Sequence, residues 1–180
     1  MDLQQSTGPT IEQIIAAVRE LDGALVVAPA VGDPAVPELA WGDAFFYYAP
    51  DGRMPRNVQP YGTIVTKNYP DDTTSDLDPE GRWRVNVHVG GARLAELTGA
   101  GGQGDAEPGP WPGPGPGERE EDGPGPATAD VVRPHPVYGS AGWIAVVNPG
   151  LATGETVLAL LRDAHEAARA RYERRAAPLR

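Results

Sequence analysis

The chain has 180 residues, no cysteine, three histidines and a formal net charge of −10 from 25 acidic and 15 basic residues. That length leaves room for one ordinary domain, and the missing cysteines exclude disulfides, thiolate chemistry and any zinc site not built from His and carboxylates. The acidic field repels phosphate backbones, so nucleic acid is a disfavoured partner, and neither a metal nor a cofactor is expected.

The N-terminal MDLQQSTGPT lacks the basic flank and apolar stretch of a signal peptide, and no apolar run reaches the roughly 20 residues of a membrane span. No membrane partner and a cytoplasmic location are the expectation. Thr10 and Gln13 fit a capping box, and Ile11, Ile14, Ile15, Val18 and Leu21 follow a helical period that Gly23 ends. Ala24 to Ala28 reads as a short buried strand, and VGDP from Val31 as a turn. Leu39 to Ala49 is strand-like and aromatic, with a bend or bulge at Gly42 and Asp43. Tyr61 to Lys67, rich in β-branched residues, is the next strand.

Asn68 to Gly81 reads as a polar connection in water, with five acids among residues 70–80 but none of the ordered spacing of a calcium loop. From Trp83 to Val89 the chain alternates: Trp83, Val85, Val87 and Val89 share one face, and Arg84, Asn86 and His88 the other. Period two of this kind marks a half-buried strand of an antiparallel sheet. Ala92 to Leu97 reads as a short helix or a helical turn. Residues 99–126 hold 10 Gly, 7 Pro and six acids against one Arg, a composition with too little apolar surface to offset ordering entropy. They read as a disordered insertion within a domain spanning 10–175, with flexible tails at 1–9 and 176–180. After the insertion come one strand, Gly142 to Asn148, and a last helix from about Gly154 to Tyr172, with Thr153 as its N-cap and arginines in its final turns.

The expected architecture is α+β: an antiparallel sheet of about five strands, with the N- and C-terminal helices on one face and the polar face open. That polar face is the first candidate site. Arg84, Asn86 and His88 stand roughly 7 Å apart along the strand, and Lys67 closes the neighbouring one. A guanidinium, an amide and an imidazole in a row can bind a carboxylate or phosphate and move a proton. The same pattern also fits a sheet face in plain contact with water.

The second candidate is PHPVY, in which two prolines hold His135 in extended backbone near Tyr138. The third is the aromatic run from Trp41 to Tyr48, with Asp43 as a carboxylate partner for His or Arg; core packing is the stronger reading there. His165, on the apolar stripe of the last helix, reads as a satisfied boundary histidine. The glycine pairs match neither a dinucleotide fingerprint nor a P-loop.

WGDAFFYY, TIVTKNYP, RVNVHVG and HPVYGSAGW, in that order, resemble a family of small, mainly actinobacterial proteins known only as a domain of unknown function. The resemblance covers about residues 10–98 and 128–175 and implies a fold but no chemistry. More distantly, the helix–sheet–helix order is similar to the YjbR-like fold, a group for which DNA binding has been proposed; the net charge of −10 opposes such a role here.

The leading expectation is a domain that binds a small anionic molecule or peptide through Arg84, Asn86, His88, Lys67, His135, Tyr138 and Trp41. The alternative is an enzyme with His135 or His88 as base and Arg84 or Lys67 as anion clamp. A third is an interaction module using the acidic insertion or the Arg-rich last helix. The oligomeric state is not legible.

Overall fold

The computed structural model describes residues 7–99 and 125–178. Of the Gly/Pro-rich insertion only Gly99, Gly125 and Pro126 fall within this range; the rest of that expectation lies outside the described residues, as do positions 1–6 and 179–180 of the two tails. Gly8 and Pro9 pack against Gly150 and Gly154.

Helix α1 (Ile11–Arg19) starts at the expected capping box: the Gln13 amide donates to Thr10 Oγ1 at 3.2 Å, and the Thr10 amide to Gln13 Oε1 at 2.9 Å. Strands β1 (Ala24–Val27), β2 (Ala44–Tyr48), β3 (Gly62–Val65) and β4 (Arg84–His88) follow. Then come α2 (Gly91–Thr98), the two-residue β5 (Arg133–Pro134), β6 (Trp143–Val147) and α3 (Gly154–Ala176). The six strands form one antiparallel sheet in the order β1-β2-β3-β4-β6-β5, one strand more than expected. The extra strand is the Pro-rich entry to His135; a proline can sit on an edge because its ring side needs no ladder partner. No described helix is long and apolar enough to cross a membrane.

The register sorts the side chains into two faces. Ala44, Ile64, Val85 and Val146 lie side by side across four strands, as do Phe46, Gly62, Val87 and Ile144. This apolar face packs on Ile14 and Val18 of α1 and on Val157, Leu160, Leu161 and Ala164 of α3, which together form the main core. Gly62 lets α3 come close: a Cβ there would stand 2.8 Å from Leu161 Cδ2 and 3.1 Å from Phe46 Cδ2. His165 of α3 is 1 % exposed in this layer. Its Nε2 donates to the Asp22 carbonyl at 2.9 Å, which leaves Nδ1 to accept from the Tyr61 hydroxyl at 3.0 Å.

The start of α3 departs from expectation. Thr153 makes no side-chain capping bond; its hydroxyl donates to Asp130, which also accepts the amides of Gly150, Ala152 and Thr153. A carboxylate 23 residues upstream of Thr153 thus gathers the amides of the loop that leads into the helix.

The second sheet face is covered rather than open. The stretch from Thr66 to Arg82 folds back across it, pinned by Leu77, which is 1 % exposed and packs with Val65, Val147 and Tyr69. Asn68 Oδ1 accepts the Leu77 amide at 2.9 Å and Asp78 accepts the Asn68 amide at 3.0 Å, so the loop holds its own shape. Arg82 ties it further, donating to the carbonyls of Ser75, Asp76 and Ala127. This cover buries Arg84 and Asn86 of the polar row of β4 and leaves His88 partly exposed.

Candidate functional site

Across the second face the register lines up Phe45, Thr63, Asn86 and Ala145, with Arg84 one step along β4 beside Val65. Between this row, the Thr66–Arg82 cover and the segment from His135 to Trp143 lies a cavity of about 390 Å³. Its walls are apolar and aromatic (Phe45, Val65, Val137, Tyr138 and Trp143), and its polar groups include Thr63, Arg84, Asn86 and His135. A volume of this size suits a small organic ligand.

The floor is a buried polar network. Arg84 is 2 % exposed and Asn86 3 %. Arg84 Nε donates to Asn86 Oδ1 at 2.8 Å, and Asn86 Nδ2 to Thr63 Oγ1 at 2.9 Å. The guanidinium forks onto Asp72 through Nη1 and Nη2, and Nη1 also donates to Ser75 Oγ at 2.8 Å. Burial alone would push the Asp72 carboxyl up; the hydrogen bonds and charge of Arg84 outweigh it and hold the group below its ordinary range.

His135 closes the network from the other side, 5 % exposed. Its Nδ1 accepts the amides of Val137 at 3.1 Å and Tyr138 at 3.0 Å. Its Nε2 stands 3.1 Å from Arg84 Nη2 and 3.7 Å from Asp72 Oδ2. Burial and the neighbouring guanidinium lower its pKa to about 4, against a smaller opposing pull from Asp72, so the ring is neutral at pH 7.

The site therefore gathers four of the residues singled out from the sequence: Arg84, Asn86, His135 and Tyr138. The other three sit elsewhere. His88 Nε2 donates to the Ala141 carbonyl at 3.1 Å, and its ring meets the Trp143 edge in a second groove toward α3. Lys67 is tied to the carbonyls of Leu39 and Trp41 and to Asp43 at 3.1 Å. Trp41 itself donates to the Asp33 carbonyl at 3.0 Å, away from the cavity. Asp43, expected to partner His or Arg, instead accepts from Thr66, Lys67 and the Tyr69 hydroxyl.

Asp72 and Ser75 were not singled out, because the loop that carries them reads as solvated. A signal was present in Leu77, a large aliphatic residue alone in a polar run, which needs burial somewhere and brings its neighbours with it. Thr63 and Trp143 were visible only as strand residues.

These features define an α+β protein whose antiparallel sheet bears helices on one face and, on the other, an open cavity with apolar walls and a polar floor. The chain belongs to a family of unknown function (DUF6194), whose model matches residues 9–177. No curated protein and no solved structure matches it.

Proposed function

We propose that this domain binds a small molecule in the cavity on the second sheet face. The observation that carries the reading is the concavity itself: aromatic walls over a floor of buried, hydrogen-bonded polar side chains. A fold that only needed a covered sheet would do as well with an apolar face, since a buried ion pair seldom adds stability over apolar packing. Retaining Arg84, Asp72, Asn86 and His135 around an accessible space favours recognition.

The expected preference for anions rested on Arg84 and Lys67 as available cations. Both are paired with carboxylates, at Asp72 and Asp43, so charge alone no longer selects an anion. A thermal-shift screen of small metabolites, charged and uncharged, tests the reading. A true ligand at 100 times its Kd stabilises the fold by about 2.7 kcal/mol. Tyr138→Ala trims a wall residue that is 53 % exposed, so it should weaken binding while leaving the unliganded midpoint nearly unchanged. A hit that binds Tyr138→Ala and wild type equally does not occupy this cavity.

A further inference from the structure

The hydrogens of His135 can be placed from its neighbours. Two backbone amides, of Val137 and Tyr138, donate to Nδ1, and an amide can do nothing but donate. Nδ1 therefore carries the lone pair, and in the neutral ring the proton sits on Nε2. That nitrogen faces Arg84 Nη2 at 3.1 Å, which is also only a donor. The contact is thus not a hydrogen bond between the two side chains but two N–H groups that face each other.

Arg84 has five N–H bonds. One goes to Asn86, two to Asp72 and one to Ser75, which leaves a single Nη2–H beside the imidazole N–H. Asp72 Oδ2, already bonded to Arg84, stands 3.7 Å from Nε2, beyond hydrogen-bond reach. Two donors, on side chains 2 % and 5 % exposed, therefore share the wall of one cavity without an acceptor of their own. Buried donors of this kind are costly unless something accepts from them.

Building on the cavity reading above, we propose that the His135 Nε2–H and the free Arg84 Nη2–H together receive one oxygen of the ligand, and that this oxygen is an uncharged carbonyl. The charged groups that line the cavity are Arg84, Asp71 and Asp72, one positive and two negative. A carboxylate on the donor pair would lie beside Asp72, whereas a neutral amide-type carbonyl accepts both bonds without that repulsion. The rest of the ligand is flat and unsaturated, because Phe45, Tyr138 and Trp143 offer ring surfaces around the same space. The same tautomer leaves His135 no free lone pair, so it acts as a donor and not as a general base.

Long-range proton–nitrogen NMR of the intact chain reads the tautomer directly: an Nε2-protonated, Nδ1-bare ring is expected, and a proton on Nδ1 overturns the proposal. Benzamide and benzoate then serve as probes, followed through the signals of Thr63 and Trp143. Benzamide should bind about tenfold more tightly than benzoate, and a tighter benzoate overturns the uncharged-carbonyl assignment. His135→Asn keeps an acceptor for the two amides, but its shorter side chain leaves no donor at the position of Nε2, and it should lose about tenfold in benzamide affinity; His135→Gln, whose amide reaches further, should recover part of it. If benzamide moves the cavity signals equally in wild type and His135→Asn, the donor pair is refuted while the cavity reading stands. If neither probe moves them, the donor-pair proposal falls, and the metabolite screen with Tyr138→Ala decides the cavity reading on its own. Should His135→Asn fail to fold, the wild-type ring spectrum and the benzamide-to-benzoate ratio still decide.

Discussion

Removing the Asp72 carboxylate would leave the Arg84 guanidinium charged in a site that is 2 % exposed. Breaking a buried pair from one side costs about 3–5 kcal/mol, because the remaining ion keeps its desolvation penalty. Asp72→Ala should therefore lower stability by about 3 kcal/mol in urea unfolding. Replacing both partners, as Asp72→Leu with Arg84→Met, should be milder than the single change. A double replacement worse than Asp72→Ala would show that the pair is not a self-contained unit. The pairing was hidden from sequence reasoning for a plain reason. Asp72 is one of five acids among residues 70–80, 12 positions from Arg84, and nothing local separates the acid that turns inward from those that stay in water. The link from Arg84 to His135 spans 51 positions. Arg84, Asn86 and His135 could be singled out by residue type and alternation; their neutralisation could not.

At the scale of elements, legibility follows how local the cause is. The alternation of β4 and the capping box of α1 depend on spacing within a few residues, and both are where the pattern puts them. The two-residue β5 exists only because β6 is beside it, and nothing local marks Arg133–Pro134 as a strand. The entry to α3 is likewise non-local. Thr153 looked like a cap from its position, but the acceptor is Asp130, held with φ of 58°. Burial alone would raise the Asp130 carboxyl, and the Thr153 hydroxyl with the three amides draws it below its ordinary value. Asp130→Ala should cost about 2 kcal/mol, the scale of lost hydrogen bonds to a charged group, with Asp130→Asn losing less. Chemical denaturation of the two variants checks this; a larger effect from Thr153→Ala than from Asp130→Ala would show that Asp130 is not what holds this loop.

For the whole molecule, the buried network makes stability depend on pH in a set direction. Burial and Arg84 lower the His135 pKa to about 4 in the folded protein from 6.5 for a free imidazole, so between those values the unfolded chain binds the extra proton. Its contribution is fully present above pH 6.5 and fades as pH falls toward 4, on the order of 3 kcal/mol. Asp72, lowered in the folded state, adds a second loss that begins as pH drops below its ordinary range and is complete once the folded carboxyl is protonated. Denaturation midpoints taken from pH 7 to 4 should decline steadily, and His135→Asn should flatten that limb. A curve that is level there, or one the substitution leaves unchanged, refutes the assignment.

The sheet order also has a consequence for synthesis on the ribosome. In the finished sheet β4 is interior, flanked by β3 and β6. Its second neighbour arrives late: the Trp83 amide bonds to Asn148, 65 positions on. Until then the RVNVH strand presents a bare edge whose buried side chains have no completed core, the kind of surface that invites pairing between nascent chains. Fragments ending before Val147 should accordingly aggregate, and the full chain should fold slowly for its size because its closing contact is so distant.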